Sequence, residues 1–480
     1  MITPSHSLAG KLQFPLIFSH LSPLPSAIHI SKHDNDAVSK MKRCKQTESR
    51  NKVTTALADI EDINFSKKEI SKIRASLLKW YDINRRDLPW RRISDEKSEV
   101  DEGRKAYAVW VSEVMLQQTR VQTVIDYFNR WMEKWPTIHH LAQASLEEVN
   151  DTWAGLGYYR RARYLLEGAK MIVDGGGEFP KTASSLQTVN GIGNYTAGAI
   201  ASIAFKEAVP VVDGNVIRVI TRLKAISANP KDSKTVKSIW KLAGQLVDPS
   251  RPGAFNQAVM ELGATLCSVT SPGCSTCPIS LECQALSLST NHESVQVTDY
   301  PMKVAKAKQR HDYSAVSVVE IVEEESQSDA RYLLVKRPDE GLLAGLWEFP
   351  SVLLEGEADL ASRRKAIDSF LEESFGLELN SCKVILREEV GVYVHVFSHI
   401  RLKMHVELLS LHLKGGANFL QRKQQSTTLT WKCVDNKALS TLGLTSGVRK
   451  VYTMIQKFKE NGPDSVPIKT RKKRKAENKV

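Results

Sequence analysis

The stretch from Val189 to Asn215, VNGIGNYTAGAIASIAFKEAVPVVDGN, constrains this chain more than any other. It holds a glycine hairpin, a helix of small residues, a short apolar run, and a lone carboxylate before the next periodic segment. Gly191 and Gly193 allow backbone conformations that a side chain would forbid. They also leave amide N–H groups free to point outward beside a helix start at Tyr195 and Thr196. Such a turn is an anion site, and a DNA phosphate is a candidate occupant. Asp213 precedes the periodic run Val216, Val219, Ile220, Leu223. It therefore sits near a helix N-terminus, which favours its ionised form. Taken singly, Gly-Ile-Gly is also an ordinary turn and Asp213 an ordinary N-cap.

At 480 residues the chain has room for two or three domains, each with its own core. The formal charge is +13, and residues 469–480 hold seven Lys/Arg against one Glu, which leaves +7 for residues 1–468. The body is basic in its own right, as suits a polyanion partner. No run is long and apolar enough to span a membrane. Of seven cysteines, Cys44, Cys382 and Cys433 are scattered and four lie between Cys267 and Cys283. That is no disulfide framework, and it fits a reducing compartment.

Residues 1–65 sustain no period and read as a disordered arm. Ser is common there and the first acid is Asp34, as in organellar transit peptides, but no Arg precedes Arg43. Mitochondrial or plastid targeting is therefore the lesser alternative for the arm. Structure begins at Ser66-Lys67-Lys68-Glu69, a capping-box pattern, followed by Ile70, Ile73, Leu77 and Trp80 at helical spacing. Pro89 then interrupts, and the adjacent Trp90 and Arg91 suit either base stacking with phosphate contact or ordinary packing.

The run Val109 to Leu116 is apolar except at Ser112 and Glu113. A desolvated carboxyl has a raised pKa and makes a usable general acid near neutral pH. Periodicity equally allows Glu113 an outward, solvated place. Gln117, Gln118 and Thr119 end the run with groups able to enter a DNA groove. Val121, Val124, Ile125, Phe128, Trp131, Met132 and Trp135 mark a core-facing helix. Gly155-Leu156-Gly157-Tyr158-Tyr159-Arg160-Arg161 is a second glycine turn whose aromatics and bases suit stacking and phosphate contact.

The hairpin and Asp213 together resemble the helix-hairpin-helix-Gly/Pro-Asp superfamily of DNA base-excision glycosylases, with Asn190 where that family usually has Pro. SEVMLQQT at 112–119 and GLGYY at 155–159 narrow the resemblance to the adenine DNA glycosylases of the MutY family, over Leu88 to Cys283. The resemblance implies that Glu113 protonates adenine at N7 and then handles the attacking water. It implies that Asp213, with Asn215 beside it, stabilises a cationic sugar, and that Tyr195 lies in the active site. Gln118 and Tyr158 would wedge into the duplex; Trp90, Arg91, Leu116, Thr119, Gly191 and Gly193 would complete the DNA surface. Two carboxylates in unlike settings suit one acid and one anion, and a fixed anion stabilises an oxocarbenium-like sugar. Bifunctional relatives such as endonuclease III carry Lys at the hairpin position and use its amine as a nucleophile. Tyr195 cannot form a Schiff base, so base removal without efficient strand cleavage is expected.

The cysteines read C-x6-C-x2-C-x5-C: Cys267, Cys274, Cys277, Cys283. Zinc sites usually show two close pairs, and only one is present here. The spacing matches the [4Fe-4S] loop of endonuclease III and MutY relatives. A basic linker at 286–311 follows, with Lys303, Lys306, Lys308 and Arg310 and no Cys to hold a second metal. Repair or replication proteins are the expected partners of that linker. From Tyr313 the texture turns to strands around Val316, Val318 and Ile321, Tyr332 to Val335, and Tyr393 to Leu413, with one helix near 358–375. This region, 312–460, resembles the Nudix-like domain found at the C-terminus of MutY proteins. Its hydrolase signature is broken: Ser369 and Phe370 stand where Arg-Glu belong and Ser374 replaces a metal-binding Glu, while Mg²⁺ needs those carboxylates. Phe397, Ser398 and His399 match the family's lesion-reading turn. The basic tail, 461–480, reads as disordered and as a nuclear import signal or a nonspecific DNA grip.

The expected fold class is thus multidomain: an all-α helix-hairpin-helix domain over 66–285 with an iron–sulfur loop, then an α+β Nudix-like domain. The resemblance implies a monofunctional enzyme that removes adenine mispaired with 8-oxoguanine, or guanine, in double-stranded DNA, and the basic tail suggests the nucleus. Three rivals are weighed. A bifunctional pyrimidine-lesion glycosylase lacks its Lys at position 195. A nucleotide pyrophosphatase meets the broken signature. A nonenzymatic iron–sulfur DNA sensor would not need Glu113 and Asp213.

Overall fold

The computed structural model describes residues 60–95, 102–305, 308–322, 330–413, 420 and 429–461. The readings placed on the N-terminal arm before residue 60 and on the basic tail lie outside the described residues. Helices come first: α1 (Lys67–Asn84), α2 (Pro89–Asp95), α3 (Glu102–Leu116), α4 (Val121–Lys134), α5 (Ile138–Ala142), α6 (Leu146–Trp153), α7 (Arg160–Asp174), α8 (Ala183–Leu186), α9 (Asn194–Ala204), α10 (Gly214–Leu223), α11 (Ser233–Leu246), α12 (Pro252–Thr265) and α13 (Gln284–Asn291). The capping box forms as expected: Ser66 Oγ accepts from the Glu69 amide at 3.2 Å, and Glu69 accepts from the Ser66 amide at 2.8 Å.

The helical region has two cores. In the first, α3 packs along α9, with α4 and α7 around them. Every residue of α3 from Ala106 to Met115 is buried. A helix apolar on all sides is a central helix, which is why periodicity could not orient Glu113. The small residues of α9 permit close approach; a Cβ at Gly198 would stand 2.6 Å from the Pro210 carbonyl oxygen. Phe128, Trp131 and Trp135 of the α4 segment are core residues as expected, Trp131 lying edge-on to Trp135 and Trp153. The second core joins α1, α10, α11 and α12.

The segment expected as a basic linker, 286–311, carries regular structure, including a 3-10 turn at Val297–Asp299. It starts within α13 and ends as β1 begins at Arg310. The α+β region contains β1 (Arg310–Val322), β2 (Arg331–Lys336), β3 (Trp347–Glu348), β4 (Ser351–Leu354), α14 (Leu360–Phe375), β5 (Lys383–Val396), β6 (Ile400–His412), β7 (Trp431–Asp435), α15 (Asn436–Thr441) and α16 (Ser446–Asn461). The sheet order is β3-β2-β1-β6-β5, with β4 on β1 and β7 on β2. Strands β1 and β6 pair in parallel from Arg310↔Ile400 to Val322↔His412. One face packs on α14 and the other on α16. The sequence reading had the first of these helices and missed the second, although Val448, Val451, Tyr452, Ile455 and Phe458 recur at helical spacing and are buried.

Candidate active site

The hairpin places α9. Gly191 has φ +81°, and a Cβ there would meet Tyr164 Cβ at 2.6 Å, so glycine is required. Gly193 differs from expectation. Its φ of −90° is open to any residue, and it serves as the N-cap of α9, which starts at Asn194. A side chain there would meet nothing within 4 Å. The fold thus demands only the first glycine, and the second leaves the helix N-terminus uncovered for an anion.

Helix α9 carries Tyr195 toward α3. The Tyr195 hydroxyl donates to Oε2 of Glu113 and lies 3.6 Å from the Met260 sulfur. Glu113 is buried, at 7% exposure. Burial pushes its pKa up to about 7, against the opposing hydrogen bond from Tyr195, and the nearby Asp213 adds to the rise. Burial likewise pushes the Tyr195 phenol well above its ordinary range.

Asp213 is the N-cap of α10. Its Oδ1 accepts from the Val216 amide at 2.8 Å and its Oδ2 from Asn215 Nδ2 at 2.8 Å. The expected electrostatic effect of this placement is outweighed. Burial raises the Asp213 pKa despite the hydrogen bonds from Val216 and Asn215, so the helix start does not dominate. Asn215 is itself held by Arg218, whose Nη2 donates to its Oδ1 at 2.7 Å.

Glu113, Tyr195, Asp213 and Asn215 line one cavity of about 540 Å³ with Trp90, Arg91, Leu116, Gln118 and Thr119. Two of these are also packed into the interior, the second alternative that the sequence allowed them. Trp90 is buried, edge-on to Phe128 at 5.4 Å. Arg91 is buried too, donating to Glu261 Oε2 at 2.9 Å, Gln257 Oε1 at 3.1 Å and the Arg86 carbonyl at 3.0 Å. Both are cavity wall, because apolar packing and a buried carboxylate claim them first. That carboxylate, Glu261, was missed in the sequence. It is 1% exposed, bonds both Arg86 and Arg91, and its pKa is about 2, burial being outweighed by the two guanidinium groups. The signal that singled out Glu113, an acid inside an apolar helical run, is repeated in Ala258-Val259-Met260-Glu261-Leu262.

The wedge candidates share a backbone property. Gln118 has φ +58° and Tyr158 φ +49°, a region costly for side-chain-bearing residues. Tyr158 is 48% exposed. Arg161 ties the two turns together. It donates to the carbonyls of Val114 (2.7 Å), Met115 (3.0 Å) and Gln117 (2.6 Å), ending α3, and to that of Gly157 at 3.1 Å. It is buried and so serves as a helix cap rather than a phosphate contact.

Phe397, Ser398 and His399 form the turn between β5 and β6, closed by the Phe397 amide on the Ile400 carbonyl at 2.8 Å. Ser398 and His399 are exposed, their Oγ and Nδ1 3.1 Å apart. Phe397 packs edge-on to His395 at 4.3 Å. On α14, Ser369, Phe370 and Ser374 stand where the hydrolase signature breaks, and the neighbouring Glu407 is held by Arg364 at 2.9 Å and Arg387 at 2.9 Å.

Cys267 follows α12, Cys274 and Cys277 bracket a 3-10 turn, and Cys283 is the N-cap of α13. Among the described residues no three ligand side chains stand gathered as a ready metal set. Burial, with a smaller contribution from the other sulfurs, pushes the Cys277 thiol up to about 11. The buried Arg222 donates to Cys267 Sγ at 3.2 Å. Four cysteines between 267 and 283, one of them hydrogen-bonded to a guanidinium, are a donor set whose chemistry fits a thiolate-ligated cluster.

A family model described as HhH-GPD superfamily base excision DNA repair protein matches residues 111–245, and one described as NUDIX domain matches residues 325–454. An adenine DNA glycosylase of Arabidopsis thaliana is 61% identical over 416 residues, covering 82% of this chain and 65% of that protein. The chain therefore spans slightly under two thirds of that relative. An adenine DNA glycosylase of Mus musculus is 43% identical over 426 residues, 82% of this chain and 79% of that one. The structure of a thermostable thymine-DNA glycosylase aligns with 46% of this chain and 97% of its own at 25% identity, with a TM-score of 0.41. With cover and identity of this order, the chain belongs to the family of adenine DNA glycosylases, hydrolases of N-glycosyl bonds.

Proposed function

We propose that this chain removes adenine paired with 8-oxoguanine, or with guanine, from double-stranded DNA. The observation that carries the reading is the pair of acids on one cavity. Glu113 has a pKa near 7, where a carboxylic acid can give up a proton at neutral pH. Asp213 lines the same cavity, with both oxygens fixed by donors. In this reading Glu113 protonates N7 of a flipped adenine, the glycosidic bond breaks, and Asp213 stabilises the cationic sugar until water, deprotonated by Glu113, adds. Gln118 and Tyr158 wedge the duplex, the open N-terminus of α9 takes a phosphate, and Ser398 and His399 read the oxidised base. Tyr195 holds the hairpin position where a lyase needs an amine, so strand cleavage does not follow base release. Cys267, Cys274, Cys277 and Cys283 would hold a [4Fe-4S] cluster, which ties the loop as a structural element. The basic tail directs the protein to the nucleus, and repair or replication proteins dock on the linker.

Purified protein incubated with a duplex carrying adenine opposite 8-oxoguanine should give strand breaks only after alkali. Borohydride should trap no covalent complex. Breaks without alkali, together with trapping, would assign the bifunctional rival; no alkali-labile product at all would assign the nonenzymatic one.

A further inference from the structure

Helix α6 carries two acids one turn apart, Glu147 and Asp151, and both bind the sheet domain. Glu147 Oε1 accepts from Trp347 Nε1 at 3.0 Å and from Lys432 Nζ at 2.9 Å, and the same ammonium lies 4.2 Å from the Trp347 ring centre. Asp151 Oδ1 accepts the amide of Gly443 at 2.9 Å. On α7, Arg163 donates to the Asp339 carbonyl at 3.0 Å. From the same loop between β2 and β3, Leu346 and Leu343 join the first core of the helical region. The interface is therefore polar at α6 and apolar beside it, the anatomy of a specific contact.

Gly443 gives that contact a sharp steric signature. A Cβ there would collide with the Asp151 Cα and stand 2.8 Å from its amide nitrogen. Those are backbone atoms, which cannot swing aside. Gly443 is not among the residues with positive φ, so its own loop would accept another residue. Glycine is demanded at this position by docking alone. The loop is braced from its own domain by Arg449, which donates to the Leu442 carbonyl at 2.7 Å.

On its other side α6 leads directly into the turn bearing Tyr158. Trp153, the last residue of α6, donates from Nε1 to the Gly157 carbonyl at 2.9 Å. Tyr127 donates to the Ala154 carbonyl at 2.6 Å, and the Gly155 amide to Tyr159 at 3.2 Å. The helix thus touches the sheet domain with one set of groups and shapes the wedge turn with the next.

We propose that α6 couples the two domains: docked through Gly443 and Glu147, it fixes the Tyr158 turn relative to the Phe397-Ser398-His399 turn, so that opening of the duplex and reading of the opposite base occur together. Glu147, Asp151 and Gly443 are positioning residues. This inference rests on the lesion-reading role proposed above.

The test is the ratio of single-turnover excision rates opposite 8-oxoguanine and opposite guanine, in the full chain. Gly443→Ala and Glu147→Lys should each cut that ratio roughly tenfold while excision opposite guanine stays within about twofold of the parent, mid-range for substitutions that alter coupling between sites. Combining Glu147→Lys with Lys432→Glu restores opposite charges and should recover much of the loss. Thermal melting checks the fold, and the charge-swap series decides if Gly443→Ala does not fold. Equal slowing on both duplexes, or an unchanged ratio in a parent that prefers 8-oxoguanine, would overturn the coupling and leave lesion reading intact. A parent that does not distinguish the duplexes would remove both.

Discussion

Tyr195 on α9 donates its phenolic hydrogen bond to Glu113 on α3, and it does so inside a cavity that also holds Asp213. A donor of this kind favours the charged carboxylate, yet burial prevails and the Glu113 pKa rises to about 7. The phenol therefore restrains a shift that burial alone would carry further.

The first prediction concerns that proton. Glu113→Gln keeps the shape but cannot donate, so excision should become undetectable while DNA binding persists. In the parent, the protonated fraction and hence excision should fall as pH rises above about 7. Stability follows the same group. Its folded pKa is raised, so the folded chain holds the proton longer than the unfolded chain, and stability from this group is lost as pH rises from 4.5 to about 7. The accumulated penalty is about 3 kcal/mol at pH 8. Urea unfolding should find Glu113→Gln more stable than the parent at pH 8, with the gap closing toward pH 4.5. A gap independent of pH would contradict a buried neutral acid.

Asp213→Asn separates charge from capping. Asn caps a helix about as well as Asp and removes a carboxylate whose charge burial disfavours, so the melting temperature at neutral pH should hold or rise. Loss of the anion should cost roughly 3–4 kcal/mol in the chemical step, two to three decades in single-turnover rate. A parent-like rate would reduce Asp213 to a cap.

The cysteine loop makes a prediction about composition. The protein should be brown and contain iron with little zinc. Cys277→Ser should lose iron and weaken DNA binding, measured by metal analysis and by titration with labelled duplex. Stoichiometric zinc in the parent would point to a different metal.

At the β5–β6 turn, Ser398→Ala with His399→Ala should slow excision opposite 8-oxoguanine much more than opposite guanine. The oxidised base presents a C8 carbonyl and an N7–H, and hydroxyl and imidazole can each donate or accept. Losing such a contact should cost about 1–3 kcal/mol of discrimination, by analogy with direct base readout. Both side chains are exposed, so thermal melting should be unchanged. Equal slowing on both duplexes would show that the turn reads nothing.

Local features were legible in sequence because their physics is local. The capping box at Ser66, the turn at Gly191 and the cap at Asp213 each need only a few neighbouring residues. Glu113 stood out as an acid in apolar company, but its direction was hidden because α3 is enclosed on every side. The packing of Trp90 and Arg91 was not legible, because their partners Phe128 and Glu261 lie far along the chain. The pKa of Asp213 depends on how deeply α10 is covered, which no cap motif encodes. The demand for glycine at 443 comes from Asp151, 292 residues earlier, so no local pattern reports it.

The long parallel ladder of β1 and β6 has a consequence for synthesis of the chain. Arg310 must wait for Ile400, ninety residues later, before its strand has this neighbour. Closing so large a loop is slow, and β6 lies inside the sheet, between β1 and β5. A ribosome that stops anywhere before Ile400 releases a chain without one of the sheet's inner strands, with the apolar β1 left uncovered on that side. Premature termination across this whole stretch should therefore give one phenotype, aggregation and clearance of the second domain, rather than a graded series of shortened proteins.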